Sequence, residues 1–470
     1  MTHVAVIGGG YAGAAFAIHL SRMAGQPLLI TVVEPREQVG GGVAYSTPDR
    51  DHRLNAPDVI HFLYPDDDLH FRRFLEESGR LAEDPEGLYV DERLYPRRRD
   101  FGAYVAAEFA AHAASNPSGS TLVHRRGKAV GIERRRNGLR IELADGEPID
   151  AGRCVIAVRH ERAPAPLPDL PPGADRLVGE PLAPGALGSI DGDDDVLVLG
   201  TGLTAADTVA SLLRRGHRGT ITCLSRRGVR PREQNPAKTA SAIWDVLSAQ
   251  PPAFIAKHGV PTSLRDLTRI VREDARARLA RGEPWHGSID QVRDAAGEIW
   301  RALNVADKAR FQRHLKPYYD GLRFRIPPQT RDILQQAEAT GQLRFRKGRV
   351  VHAETRPDGL RVVIRHRGQT TTRSGTFGAV VSCLGFATRV VESRDPFLQS
   401  CLRQGLARPS DAGRGLESDD AGRVLSADGR PDEALYAIAG MTLDRFGETP
   451  AAIFILRQIL RMLPQFVAGC

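Results

Sequence analysis

The stretch Val4-Ala5-Val6-Ile7-Gly8-Gly9-Gly10-Tyr11-Ala12-Gly13 leaves this chain little choice of fold. A β-branched apolar run breaks into glycines and then continues into the alanine-rich Ala14, Ala15, Ala17, Ile18 and Leu20. Strand, glycine turn and helix in immediate succession predict a βαβ unit. Gly8 permits the tight turn, Gly10 lets the backbone approach a pyrophosphate, and Gly13 lets the helix pack closely on the strand. Tyr11 and Ala12 lie in the first turn of that helix, whose free N–H groups and positive dipole end suit phosphates. The next strand, Leu29-Ile30-Thr31-Val32-Val33, closes on Glu34, followed by Pro35 and Arg36. Glu34 lies 21 residues past Gly13, where a carboxylate accepting a ribose hydroxyl is expected.

The pattern then recurs. Asp195-Val196-Leu197-Val198-Leu199-Gly200-Thr201-Gly202-Leu203-Thr204-Ala205-Ala206 is again strand, glycine turn and helix, with Ala205 in the third glycine position. Its second strand, Thr220 to Leu224, ends in Ser225-Arg226-Arg227 rather than in an acid. A carboxylate accepts from a ribose 2′-hydroxyl, whereas a serine with paired guanidiniums suits a 2′-phosphate. The first cradle is therefore expected to take an unphosphorylated adenosine ribose, as in FAD or NAD, and the second NADPH. The expected fold class is α/β, two Rossmann-like dinucleotide-binding domains with a helical insertion.

A chain of 470 residues can hold two to four domains, and 41% hydrophobic with 26% charged residues is the composition of a globular enzyme. No apolar run approaches the roughly 20 residues of a bilayer span, and Met-Thr-His leading into a strand is no signal peptide, so a cytoplasmic location without membrane partners is expected. The net charge of +8 comes with neither a basic tail nor a nucleic-acid-binding motif. It is read as a solvated basic surface plus arginines that receive nucleotide phosphates, with no nucleic-acid partner. Five cysteines contain no C-x-x-C pair, which argues against a redox dithiol and against a zinc site; no metal is expected. Cys154, Cys223 and Cys383 sit in apolar strand-like runs as small buried hydrophobes.

Between the cradles, Gly40-Gly41-Gly42-Val43-Ala44 is a loop whose backbone must approach something closely. Asn55, before Ala56-Pro57, is either a polar contact to a flat ring system or a turn asparagine. His70 to Glu77 and Phe101 to Ala114 read as helices. The arginines of Tyr95-Pro96-Arg97-Arg98-Arg99 concentrate positive charge in a loop, where one could meet a phosphate; each by itself is expected to be solvent-exposed. Leu139 to Leu143 with Asp145-Gly146 reads as a hairpin, Cys154 to Val158 as a buried strand, and the Pro-rich stretch Ala163 to Pro184 as a domain crossing. Residues 232–337 carry helical periodicity, with Trp244, Trp285, Trp300 and Phe311 expected in a packed helical insertion. Leu343 to Phe345, Val350 to His352 and Leu360 to Arg365 read as a small meander. Ala434 to Gly440 is a strand, followed by a helix from Glu448-Thr449-Pro450 to Leu463, with Thr449 as N-cap. Its N-terminus is suited to the electron-rich edge of a flavin. Arg323 and Arg325, in the turn Leu322 to Pro328, and Arg445 are candidate contacts for an anionic substrate group.

Gly42-Val43-Ala44-Tyr45-Ser46-Thr47, Leu54-Asn55-Ala56-Pro57, Ser225-Arg226-Arg227-Gly228, Arg323-Phe324-Arg325-Ile326-Pro327 and Gly440-Met441-Thr442 together resemble the hallmarks of a bacterial FAD/NAD(P)-binding flavoprotein family. That family lies within the superfamily of two-dinucleotide-binding-domain flavoproteins. The resemblance covers nearly the whole chain. It implies an FAD domain in two halves, residues 1–165 and 391–470, around an NADPH domain of residues 185–390. It also implies cofactor contacts at Val43, Ala44, Asn55, Gly440, Met441 and Thr449, and kinship with class B flavin monooxygenases, including enzymes that N-hydroxylate amino acids such as aspartate. Two departures stand out. Ala157-Val158-Arg159-His160 replaces an Ala-Thr-Gly ending, and Cys383-Leu384-Gly385-Phe386 replaces a Thr-Gly-Pro-like one. Arg159 in a glycine position is expected to reposition the second domain or to mark an altered function.

Without a dithiol, molecular oxygen is the expected electron acceptor. The leading expectation is an FAD- and NADPH-dependent monooxygenase that oxygenates a small polar, anionic substrate or amine through a flavin C4a-hydroperoxide. In such chemistry the protein positions and shields, so no catalytic acid–base pair need be visible and none is assigned. Two other readings stay open: a flavin oxidoreductase passing electrons to a small molecule or partner protein without oxygen insertion, and a nucleotide-binding protein whose catalysis has lapsed. A homo-oligomer is compatible with all three.

Overall fold

The computed structural model describes residues 1–159, 161–167, 169–171, 173–236, 251–386, 389–447 and 451–469. Trp244, His160 and the segment Glu448-Thr449-Pro450, with its expected N-cap, lie outside these residues.

The strands are β1 (His3–Ile7), β2 (Leu29–Glu34), β3 (Thr121–Arg126), β4 (Ala129–Arg135), β5 (Gly138–Leu143), β6 (Ile149–Ala151), β7 (Arg153–Ile156) and β8 (Leu177–Val178). After them come β9 (Val196–Leu199), β10 (Ile221–Ser225), β11 (Leu343–Arg356), β12 (Gly359–His366), β13 (Thr372–Phe377), β14 (Ala379–Ser382), β15 (Arg423–Leu425) and β16 (Pro431–Ala437). They form a six-stranded sheet in the order β15-β16-β7-β1-β2-β3, a seven-stranded sheet in the order β13-β12-β11-β10-β9-β14-β8, and a three-stranded sheet β4-β5-β6. The first sheet draws strands from both ends of the chain; the second uses only those between.

Each cradle strand is buried on both faces, as the unbroken Val/Ile/Leu runs require. Val4 and Val6 join a core with the helix Tyr11–Met23 and the final helix Ala452–Ala468. Ala5 and Ile7 face a second core with β4–β6 and the helix Pro396–Arg403. In the second sheet Val196 and Val198 pack on Val209 and Leu212 of the helix Leu203–Arg214, while Leu197 and Leu199 face β12. Both cradle units are parallel, with β1 between β2 and β7 and β9 between β10 and β14. The hairpin β5–β6 forms as its turn residues predict.

The helices at 70–77 and around 101–114 form, the second starting earlier as Arg98–Ala114. Helices from Ala253–His258 to Pro328–Ala339 make up the insertion. Trp300 is buried in its core with Phe311 edge-on at 5.8 Å.

Three expectations are corrected. The first two pieces of the expected meander are one strand, β11, which pairs parallel to β10 at its start and antiparallel to β12 at its end. One strand thus serves the parallel part of the sheet and a meander at once. The last helix does not stop at Leu463 but runs through Pro464 to Ala468. An interior proline costs about 3 kcal/mol, yet stopping there would unseat Phe466, which is buried 5.2 Å from Phe16 and 4.7 Å from Tyr436. Full burial of such a ring recovers a comparable amount, roughly 1.5–3 kcal/mol. Finally, Arg97 and Arg98 are not solvated. Arg97 is buried against Asp84 and the Glu83 carbonyl, and Arg98 pairs with Asp207. Asp84 lies 13 residues before Arg97, and Asp207 more than a hundred residues beyond Arg98, so neither acid neighbours its arginine along the chain.

Among the described residues no helix is long and apolar enough to cross a membrane, and no group of His, Cys, Asp and Glu could hold a metal ion.

Candidate functional site

The first cradle is tight. Gly8 adopts φ +106°, its N–H donates to the Val33 carbonyl at 2.9 Å, and a Cβ on Gly13 would lie 1.9 Å from the Gly8 carbonyl oxygen. Glu34, 3% exposed, points back across the turn. Its Oε2 accepts the Gly9 N–H at 2.9 Å, and its Oε1 accepts the Arg36 N–H at 3.0 Å and Arg36 Nη1 at 2.8 Å. A carboxylate offers about four lone-pair sites, so one remains for a ribose hydroxyl. Pro35 and the Arg36 side chain are exposed. Gly10 caps the helix Tyr11–Met23 with no side-chain bond and no acid in the first turn, which leaves its N–H groups for an anion.

The glycine loop approaches this same cradle. Gly40 N–H donates to the Gly9 carbonyl at 2.7 Å, and a Cβ on Gly42 would stand 2.9 Å from Gly10 Cα. Val43, half-buried, and Ala44, exposed, follow at the rim. Tyr11 donates its hydroxyl to the Phe62 carbonyl at 3.1 Å and meets Tyr45 edge-on with ring centres 6.4 Å apart, and burial pushes the Tyr45 hydroxyl up to about 12.

Gly440 and Met441 come from the turn after β16. Gln458 of the final helix accepts the Ala439 N–H at 2.9 Å, and Thr442 donates to the Ala439 carbonyl at 2.9 Å. Met441 is fully buried, while a Cβ on Gly440 would meet nothing within 4 Å. The Asn55 loop is held from elsewhere. Gln234 gives its two amide protons to the Asn55 and Ile326 carbonyls, each at 3.0 Å, and so joins the Leu54–Pro57 and Arg323–Pro327 motifs. Sequence reasoning missed this residue, because an isolated glutamine carries no local signal.

The second cradle repeats the geometry of the first. Gly200 has φ +122°, Gly202 caps the helix Leu203–Arg214 without a side-chain bond, and a Cβ on Gly202 would meet open space. Leu203 and Thr204 are half-buried in its first turn, and Ala205 is buried. Thr201 Oγ1 lies 2.9 Å from Ser225 Oγ and donates to the Val229 carbonyl at 2.6 Å, while Gly228 N–H donates to Ser225 Oγ at 2.9 Å. The Ser225 hydroxyl therefore shapes the turn. The two arginines differ. Arg226 is exposed, whereas Arg227 donates Nη2 to the Arg313 carbonyl at 2.6 Å and lies 5.9 Å from the Tyr318 ring centre.

The candidate substrate arginines are not brought to one point by any contact among the described residues. Arg325 is buried and paired with Asp290 at 2.8 Å; burial lowers the arginine. Burial would raise Asp290, but Arg293 and Arg325 outweigh it and hold the carboxyl below its usual range. Arg445 pairs with Asp420 at 2.7 Å. Arg323 ends the helix Lys316–Arg323, its guanidinium 5.2 Å from the Phe324 ring centre.

The two departures noted in the sequence meet. Arg162 and Phe386 form an antiparallel bridge, Ala163 N–H donates to the Gly385 carbonyl at 3.0 Å, and the Arg159 and Arg162 guanidiniums lie 5.2 and 5.8 Å from the Phe386 ring centre. A second bridge between the cradle units is buried and polar. Arg98 Nη2 lies 2.7 Å from Asp207 Oδ2, and His52 contacts Ser211 Oγ at 3.0 Å and Thr47 Oγ1 at 2.7 Å. Burial pushes His52 below its ordinary value.

Residues 5–161 match a family model described as FAD-NAD(P)-binding. Among solved structures, the chain is similar to the ornithine N-hydroxylase of Kutzneria sp. 744, solved with reduced FAD, NADP+ and L-ornithine, at 15% identity, 99% of each chain and a TM-score of 0.66. It is similar to L-lysine 6-monooxygenase from Pseudomonas syringae at 16% identity, 100% of each chain and a TM-score of 0.64. It is also similar to thioredoxin reductase from Lactococcus lactis at 13% identity, 100% of each chain and a TM-score of 0.52. The fold is theirs. It is the two-dinucleotide-binding α/β fold expected from the paired cradles. No curated protein matches the sequence.

Proposed function

We propose that the protein is an FAD- and NADPH-dependent monooxygenase acting on a small polar, anionic molecule or amine, with molecular oxygen as co-substrate. The observation that carries this is the difference between the cradles: Glu34 closes one with a buried carboxylate, and Arg226 and Arg227 follow the strand of the other. The full-length likeness to ornithine and lysine hydroxylases supports the choice of reaction class.

The residues fit both coenzymes. Gly8, Gly10 and Gly13 with Glu34 would hold the pyrophosphate and adenosine ribose of FAD, and the Asn55 loop and the Gly440–Met441 turn would border its ring. Gly200, Gly202 and the first turn at Leu203 would hold the NADPH pyrophosphate. The unit of residues 1–165 and 391–470 is then the FAD domain and that of 185–390 the NADPH domain, in accord with the strand membership of the two sheets. When bound, FAD supplies hydride acceptance and oxygen activation. The protein's share would be to hold the two nucleotides against each other and to keep water out; the Arg98–Asp207 and Arg162–Phe386 contacts, which tie the two units together, support this reading. Arg323 is the proposed receptor for the anionic group, while the nearby Arg325 is committed to Asp290. A cytoplasmic location accords with this chemistry.

The test is anaerobic reduction of the FAD-loaded protein by NADPH, then admission of air with candidate amino acids and amines. Hydroxylated product in proportion to NADPH consumed is expected. Reoxidation yielding only hydrogen peroxide with every substrate supports the electron-transfer reading instead, and failure of NADPH to bleach bound FAD supports the lapsed one.

A further inference from the structure

We propose that Lys347 is a third cation of the 2′-phosphate site and a determinant of NADPH over NADH; this rests on the reading of the second cradle given above. In sequence Lys347 lies more than a hundred residues from the Ser225-Arg226-Arg227-Gly228 motif, behind the whole helical insertion. The fold returns it to the motif, because β11 lies parallel to β10 with Lys347 in register with Ser225.

Its side chain then crosses the turn. A Cβ on Gly228 would stand 2.7 Å from Lys347 Cγ and 2.9 Å from its Cε, so the glycine of the motif is where the lysine stem passes. Gly228 also adopts φ +64° and donates its N–H to Ser225 Oγ, so backbone conformation and stem make the same demand. A stem laid along the turn from Cγ to Cε delivers the ammonium to the turn's edge. Lys347 is exposed, and its ammonium has no hydrogen bond or ion pair among the described residues.

The charge balance of the motif supports the same assignment. Arg227 donates to the Arg313 carbonyl and lies near Tyr318, whereas Arg226 has no hydrogen bond or ion pair among the described residues. A phosphate monoester carries about −1.5 to −2 charges and three acceptor oxygens at neutral pH; Arg227 keeps its charge but spends a donor on the Arg313 carbonyl. Lys347 adds a third charge as a point donor beside the planar guanidiniums.

The experiment is calorimetric titration of the full-length protein with 2′,5′-ADP and with ADP, which differ at the 2′-phosphate. Lys347→Met keeps the stem over Gly228 and removes the charge; Lys347→Arg restores the charge. The expected result is wild-type preference for 2′,5′-ADP, weakened about five- to tenfold in Lys347→Met with ADP changed less than about twofold, and largely recovered in Lys347→Arg. The difference should shrink as salt rises. An unchanged preference in Lys347→Met overturns the inference, and so does a parallel loss for both ligands, which would mean a merely structural lysine. A wild type that binds the two ligands alike sinks the NADPH reading itself, and the inference with it.

Discussion

The Arg98–Asp207 pair should decide whether the two units act as one body. Asp207 is 1% exposed and Arg98 14%, and neither Asp207 oxygen has a hydrogen-bond donor among the described residues, so the 2.7 Å contact is ionic. Arg98→Met leaves a buried, unneutralised carboxylate on the helix of the second cradle. Removing one member of a buried pair costs about 3–5 kcal/mol. Because Arg98 retains some solvent, the lower end applies, and loss of its Nε bond to the Arg53 carbonyl adds about 1 kcal/mol. The expected loss of about 4 kcal/mol is a large part of the roughly 5–15 kcal/mol a domain has. Asp207→Leu alone strands the arginine. The double variant Arg98→Met/Asp207→Leu places two apolar side chains together and should recover about 2–3 kcal/mol relative to the summed single losses. The assay is urea unfolding of all four proteins, read by circular dichroism and fluorescence, with coincident transitions required before the cycle is computed. Arg98→Met within about 1 kcal/mol of wild type, or a double variant losing the full sum of the two singles, would refute the argument.

Three further outcomes are expected. Gly13→Ala should abolish FAD retention on a desalting column, since its Cβ would stand 1.9 Å from the Gly8 carbonyl oxygen; yellow protein from that variant counts against the first cradle. Arg226→Ala should raise the KM for NADPH about tenfold and that for NADH little, as loss of one phosphate contact implies; equal effects on both would contradict the assignment. Burial holds His19 and His61 at about 4, below the ordinary 6.5. As pH falls through 6.5 the unfolded chain takes up both protons and the folded chain does not, so stability present above that value is lost down to pH 4, at up to about 2.7 kcal/mol per pH unit. Urea midpoints at pH 7, 6 and 5 measure the slope, which His61→Leu should reduce by up to about 1.4 kcal/mol per pH unit; a flat profile contradicts the burial argument.

Much of this molecule is legible locally. Both cradles can be read from glycine spacing, and Glu34 and the Ser225–Arg227 turn from where a strand ends, because strand, turn and helix are set by neighbours along the chain. The Arg97–Arg98 burial was not legible, since a loop arginine looks solvated until Asp84 and Asp207 are brought beside it. The long β11 looked like two strands because its partners change from a parallel to an antiparallel neighbour midway. Pro464 looked like a helix end because the reward for continuing, Phe466 against Phe16, comes from the opposite terminus.

The order of residues alone dictates two strand–glycine turn–helix units, one ending in an acid and the other in paired arginines, since a positive φ at Gly8 or a close approach at Gly13 is demanded within a dozen residues. Which distant side chains complete those cradles is a matter of packing. Gln234 clasps two loops, Asp207 receives Arg98, and Lys347 reaches over Gly228 because the sheets and the insertion carry them there. Contacts between residues a hundred positions apart depend on how whole elements bury their apolar faces, and no local pattern records that.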